Sequence, residues 1–188
     1  FQNGSTERAR DFRLRHDIPK NAKIIGTVTR LREEKGNGDL IDAMATVAAK
    51  YNNAFLVIVG DGPLKADLEK QADTLGISEK VIFTGFVDDI PAVLQAMDVV
   101  AIPSLREGFG LAMVEAMAAG KPVVATEVGG MKEIGENKKD VLFVPPSDAA
   151  ALASALLRYL DDPELAARIA GQGSTRSRAF SVEKNVEA

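Results

Sequence analysis

Apolar residues fall along this chain in short continuous runs separated by longer stretches of helical spacing. The run "KIIGTVTRL" is β-branched and strand-like, and in the following "GDLIDAMATVAAKY" the positions Leu40, Ile41, Met44, Val47 and Ala48 share one helical stripe. The alternation then repeats: strand "AFLVIVG", a helix over 63–75, strand "VIFTG", a helix over 90–97, strand "VVAIP", a helix over 111–119 and strand "PVVAT". A Gly-Gly loop, strand "VLFV" and paired helices over 149–158 and 163–179 complete the pattern. Strands that are apolar throughout are buried on both faces, and helices between them supply the crossovers that parallel pairing requires. The pattern predicts an α/β fold, a doubly wound parallel sheet of Rossmann-like type with C-terminal helices. The polar opening carries Arg8, Arg10, Arg13 and Arg15 among acids and reads as a short exposed helix or connector. Three segments follow: a connector over 1–21, the α/β domain over 22–180, and a trailing segment over 181–188.

Composition narrows the partners. A chain of 188 residues, 46% hydrophobic, can bury the core of one ordinary domain. A net charge of −4 and only 5% aromatic residues give neither the basic footprint nor the stacking platform of a nucleic-acid binder. Without cysteine there is no disulfide framework, thiolate nucleophile or Cys-type zinc site. No apolar run approaches the roughly 20 residues that span a bilayer, and "FQNGSTERAR" has no signal-peptide hydrophobic region. The expectation is a soluble, cytoplasmic protein; the start at Phe1 suggests a processed product or a piece of a longer chain.

In a doubly wound sheet, ligands sit outside the carboxyl ends of the strands, so the loops leaving them are where chemistry is sought. In "SLREGFG" after the fourth strand, Gly108 and Gly110 either let backbone approach a phosphate at the start of the next helix or only make a tight turn. Glu115 sits inside that apolar helix on a stripe with Leu111, Val114 and Ala118, which reads as a buried carboxylate in need of donors, either a structural backbone or Arg group or the hydroxyls of a sugar or ribose. In "TRLREEKG", Arg30 and Lys35 form an anion-binding rim suited to a diphosphate, or Arg30, Arg32 and Lys35 merely neutralise Glu33 and Glu34 in a solvated loop. "GDGP" begins G-x-G after a strand, but Lys65 stands where the dinucleotide fingerprint has its third glycine, so NAD is disfavoured. His16 reads as a surface residue, and Asp88 and Asp89 as a helix start rather than a cation site. No side-chain spacing suggests a metal.

Taken in order, "TRLREEKG", "VGDGP", "FTGFV", "PSLREGFGLAMVEAMAAGKPVVAT" with its E-x7-E spacing of Glu107 and Glu115, and "VGGMKE" resemble the C-terminal, nucleotide-sugar-binding domain of retaining GT-B glycosyltransferases of glycosyltransferase family 4. The resemblance covers nearly the whole chain. It implies that Arg30 and Lys35 bind the donor diphosphate, that amides over Gly108, Phe109, Gly110 and Leu111 hold phosphate or sugar, and that Glu107 contacts the sugar hydroxyls. Glu115 would accept from the ribose, the base would lie against the backbone of Phe86 and Val87, and Gly60, Asp61 and Gly62 would line the same cleft. The implied reaction is metal-independent transfer of a sugar, with retained configuration, from a nucleotide diphosphate-sugar such as a UDP- or GDP-sugar. The nucleotide-sugar is a substrate, so no cofactor is implied. The implied partner is an N-terminal acceptor domain outside this chain, which would carry the family's usual histidine and any membrane contact; the isolated domain would bind nucleotide without turnover. Gly129 and Gly130 are read as a turn. Thr29 replaces the glycine often found before the family's Arg, the connector is short, and "FSVEKNVEA" would begin the truncated crossover back to the first domain. The competing readings are a non-catalytic nucleotide-binding or interaction module and an epimerase-like domain.

Overall fold

A computed structural model describes residues 2–180; the crossover segment expected over 181–188 lies outside the described residues. All six expected strands form: β1 (Lys23–Val28), β2 (Ala54–Val59), β3 (Val81–Gly85), β4 (Val99–Ile102), β5 (Val123–Thr126) and β6 (Leu142–Val144). They pair in parallel in the order β3-β2-β1-β4-β5-β6. The longest register runs from Lys23 opposite Ala54 to Val28 opposite Val59, while β1 meets β4 through Ile25 opposite Val99. Strand order reverses between β1 and β4, so the loops leaving these two strands diverge and open a crevice.

The period of two along each strand divides the core. Ile25, Leu56, Ile58, Val99, Ala101 and Val124 face one apolar cluster, which is covered by α2 (Asn37–Lys50), α3 (Lys65–Thr74) and α7 (Ala149–Asp161). Ile24, Val57, Val59, Val100, Val123 and Ala125 face the other, covered by α1 (Gln2–Arg15), α4 (Ile90–Ala96), α5 (Leu111–Ala118) and α6 (Met131–Ile134). The last helix, α8 (Pro163–Ser177), enters the first cluster through Leu165 and Ile169 and also packs along α5. Ile24, Ile25, Leu56 and Ile58 are fully buried, each stabilising the fold by about 1.5–3 kcal/mol relative to exposure.

Helix starts follow capping chemistry. Asp89, Asp148 and Asp162 accept from the backbone N–H groups of Ala92, Ala151 and Leu165, at 3.1, 2.8 and 2.9 Å. Asp89 thus caps α4, the role expected for this acidic pair. The four-residue α6 is an addition to the expected Gly-Gly loop.

The opening segment departs from the solvated helix expected of it. It is a helix, but Ala9 and Phe12 are buried in the second cluster, and α1 packs on α4. Arg13 donates to the carbonyls of Ala22 and Ala96 at 3.0 and 2.7 Å and to Asp98 at 3.2 Å, tying α1 to the amino ends of β1 and β4. The His16 ring lies 4.7 Å from that of Phe12, and partial burial, with Arg15 adding, holds its pKa below the ordinary imidazole value.

Candidate functional site

The crevice at the strand-order reversal is a cleft of about 530 Å³. One wall is the end of β1 and its loop, with Val28, Thr29, Arg30 and Lys35; a second is Val59, Gly60 and Asp61 after β2. Phe86, Val87 and Ile90 close one end, and Leu111, Ala112 and Glu115 of α5 form the opposite wall. A larger groove of about 660 Å³ runs along α8 to Lys139 and Asp140, at the amino end of β6 and away from the strand ends where ligands of this fold gather.

The cations reach the cleft because the two central loops are zipped together. Glu34 O accepts from the amides of Leu105 and Arg106 at 2.9 and 3.2 Å, and Lys35 Nζ donates to Glu107 Oε2 at 2.7 Å. Ser104, 2% exposed, reaches the same carboxylate oxygen at 3.3 Å, and the buried Thr126 hydroxyl donates to the Ser104 carbonyl. Arg30 is exposed, and its guanidinium has no hydrogen-bond or ion-pair partner among the described residues. Arg30, Arg32, Glu33 and Glu34 are exposed, and among the described residues no ion pair joins Arg30, Arg32 or Lys35 to Glu33 or Glu34.

Across the cleft, α5 begins at Gly110, whose φ of 96° lies in the left-handed region that costs a residue with a Cβ. A Cβ there would also come within 2.7 Å of Met131 Cγ. The first helical N–H groups, those of Leu111 and Ala112, have no intrahelical acceptor and carry the positive end of the helix dipole. Both residues line the cleft that holds Arg30 and Lys35.

Glu115 departs from the buried position expected of it. It is exposed rather than buried, and so are Leu111, at 61%, and Ala118 on the same stripe; only Val114 of the four is buried. Leu111 and Glu115 of this stripe line the cleft, while Val114 packs in the core. Glu115 has no hydrogen-bond or ion-pair partner among the described residues, so the structural donors envisaged for it are absent there.

Of the expected site residues, Arg30, Lys35, Gly60, Asp61, Phe86, Val87, Leu111 and Glu115 line one cleft. Gly62, Glu107, Gly108, Phe109 and Gly110 do not, for identifiable reasons. A Cβ on Gly62 would lie 2.5 Å from the Leu31 carbonyl oxygen, so its glycine serves backbone packing. Glu107 is held beside the cleft by Lys35 and Ser104. Gly108 O accepts from Gly130 N at 2.9 Å, which makes the Gly-Gly turn a brace for this loop. The Phe109 ring meets Phe180 edge-on, with centroids 6.1 Å apart, and Gly110 is the helix cap. Val28, Thr29, Val59, Ile90 and Ala112 also line the cleft; strand-end position was the available signal for the first three. Among the described residues no group of three His, Cys, Asp or Glu side chains is placed to hold a metal, and no helix is long and apolar enough to cross a membrane.

The cations and the start of α5 thus meet at the switch point of a parallel sheet, where ligands of this fold gather. The chain belongs to the family described as Glycosyl transferases group 1, which it matches over residues 9–176. A 2-deoxystreptamine glucosyltransferase of Streptomyces kanamyceticus is 40% identical over 155 residues, covering 81% of this chain and 40% of that protein. The C-terminal domain of the glycosyl transferase group 1 protein LpcC of Francisella tularensis superposes with a TM-score of 0.84 at 29% identity, over 95% of this chain and 93% of that domain. HepE of Anabaena, solved in complex with UDP, gives a TM-score of 0.87 at 31% identity over 96% of this chain and 52% of its own. In fold, the chain corresponds to the C-terminal domain of GT-B glycosyltransferases. It spans less than half the length of the first curated relatives it matches, 40% to 46%.

Proposed function

We propose that this chain is the donor-binding half of a retaining, metal-independent glycosyltransferase of family 4 that takes its sugar from a nucleotide diphosphate-sugar. The observation that carries the reading is convergence: Arg30 and Lys35 from one loop, and the Leu111 and Ala112 amides from another, line the same cleft. A diphosphate seated there meets two cations and a helix N-terminus. Glu115 on the far wall accepts from the ribose, and Phe86, 82% exposed at the rim, and Val87 flank the base.

In the reaction the bond between the anomeric carbon and the diphosphate oxygen breaks as the acceptor oxygen bonds to that carbon, and negative charge grows on the leaving phosphate. Fixed positive groups at that oxygen lower the barrier because they are oriented before the charge develops. Arg30, Lys35 and the α5 N-terminus fill this role, and Glu107, one residue before Gly108 at the cleft's edge, meets the sugar hydroxyls. The match of HepE in complex with UDP supports a uridine nucleotide as the first ligand to try. The relatives extend more than as far again as this chain, so we assign the acceptor site to sequence outside these 188 residues and expect the chain alone to bind donor without turnover.

Titration calorimetry with UDP, GDP, ADP and NAD tests the reading. Binding of one nucleoside diphosphate in preference to NAD is expected. Preference for NAD would overturn the donor assignment, and no binding by any of the four would favour an interaction module.

A further inference from the structure

Two residues assigned to different parts of one donor are bonded to each other. Lys35 Nζ donates to Glu107 Oε2 at 2.7 Å, the Ser104 hydroxyl reaches the same oxygen at 3.3 Å, and the pair is largely shielded, with side-chain exposures of 23% and 18%. Lys35 also lines the cleft, so one of its faces is turned to the ligand while another is held by the carboxylate. An anion entering there meets a lysine whose charge is already offset, and partial burial means that water screens this effect less than at an open surface.

The diphosphate changes charge during the reaction at this position. In a nucleotide diphosphate-sugar the outer phosphate is esterified and carries one negative charge. In the nucleoside diphosphate left after transfer that phosphate gains a second ionisable oxygen, with a pKa of about 6, and is mostly doubly charged at neutral pH. We infer that Glu107, through its hold on Lys35, is a specificity-determining residue that favours the esterified donor over the released nucleoside diphosphate. This rests on the donor-cleft assignment above and adds a charge-based route for product release. The carboxylate opposes each negative charge on that phosphate, so it disfavours the doubly charged product more than the singly charged ester. A neutral isostere at position 107 would keep the loop's hydrogen bonds and lose the discrimination.

The test compares the chain with its Glu107→Gln variant by calorimetry against UDP, UDP-glucose and inorganic pyrophosphate, at fixed ionic strength and pH 7.5, with thermal melts alongside. Removing one charge roughly 6 Å from another, in surroundings between protein surface and water, changes affinity about fivefold. Glu107→Gln should therefore raise affinity for UDP and pyrophosphate about fivefold more than it raises affinity for UDP-glucose. At pH 5.5, where UDP has largely lost its extra charge, this relative gain should shrink to about twofold or less. A Glu107→Gln variant with wild-type stability whose preference between UDP and UDP-glucose is unchanged overturns the inference, as does a relative gain that is the same at both pH values. Equal losses for all three ligands with a lowered melting temperature would make Glu107 a loop support and also overturn it. If the unaltered chain binds none of the three, the donor-cleft reading itself fails; if it binds UDP but Gln does not shift the preference between UDP and UDP-glucose, only this inference does.

Discussion

Glu115→Gln separates a binding carboxylate from a structural one, because in the free chain this side chain is exposed and without a partner among the described residues. It lies within α5, where Glu and Gln have nearly the same helix propensity, and exposed substitutions of this kind change stability by no more than about 0.5 kcal/mol. Melting should be unaltered. Binding should not. A hydroxyl donating to a carboxylate contributes about 1.5–3 kcal/mol, and to a neutral amide oxygen about 0.5–1.5 kcal/mol. The difference, about 1–1.5 kcal/mol, corresponds to a loss of roughly five- to tenfold in UDP affinity. Glu115→Ala removes the acceptor altogether and should cost about 2 kcal/mol, or roughly 30-fold. Inorganic pyrophosphate supplies the control, since it has no ribose and should bind wild type and both variants with similar affinity. Calorimetry with both ligands, beside a thermal melt, decides the matter. UDP affinity within twofold of wild type in Glu115→Ala, or equal losses for UDP and pyrophosphate, would refute the ribose assignment.

Phe12→Ala should destabilise the domain by about 3 kcal/mol, since Phe12 is 4% exposed between α1 and the sheet; denaturant unfolding would show it as a lower midpoint. Thr126→Val leaves the Ser104 carbonyl without its hydroxyl donor and should cost about 1–2 kcal/mol, read as a lower midpoint in denaturant unfolding. Asp161 accepts from Lys50 and Tyr51, and these bonds hold its pKa below the ordinary carboxylate value. Its stabilisation is therefore present above the unfolded carboxylate pKa of about 3.9 and lost as pH falls through the lower folded value, so Asp161→Asn should flatten the acid end of a melting-temperature profile and leave its slope near pH 7 unchanged.

The strands were legible because β1, β2, β4 and β5 are apolar on both faces, a pattern that an edge strand or a loop does not sustain. What the sequence hid follows from distance and from shape. The buried face of α1 rests on few apolar residues, chiefly Ala9 and Phe12, and its partner α4 lies some eighty positions later. At four residues α6 is too short to show a period. Glu115 reads as buried because an open cleft and a core demand the same apolar neighbours; Leu111 lines the cleft and Ala118 is exposed, yet both look no different from core residues in a list of letters. The glycines divide for a related reason. Gly60 lines the cleft and Gly62 only packs on Leu31, yet both need backbone approached closely, and the sequence records the need without its cause. The Lys35–Glu107 bond spans 72 positions and no local pattern announces it.

The central claim, that cations from the β1 loop and amides from the start of α5 hold one diphosphate, is met most directly by a crystal structure of this chain with UDP bound. Diphosphate density is expected between Arg30, Lys35 and the Leu111 and Ala112 amides, with the ribose at Glu115. Ordered UDP seated elsewhere, or Arg30 and Lys35 turned out of the cleft with the ligand present, would contradict it.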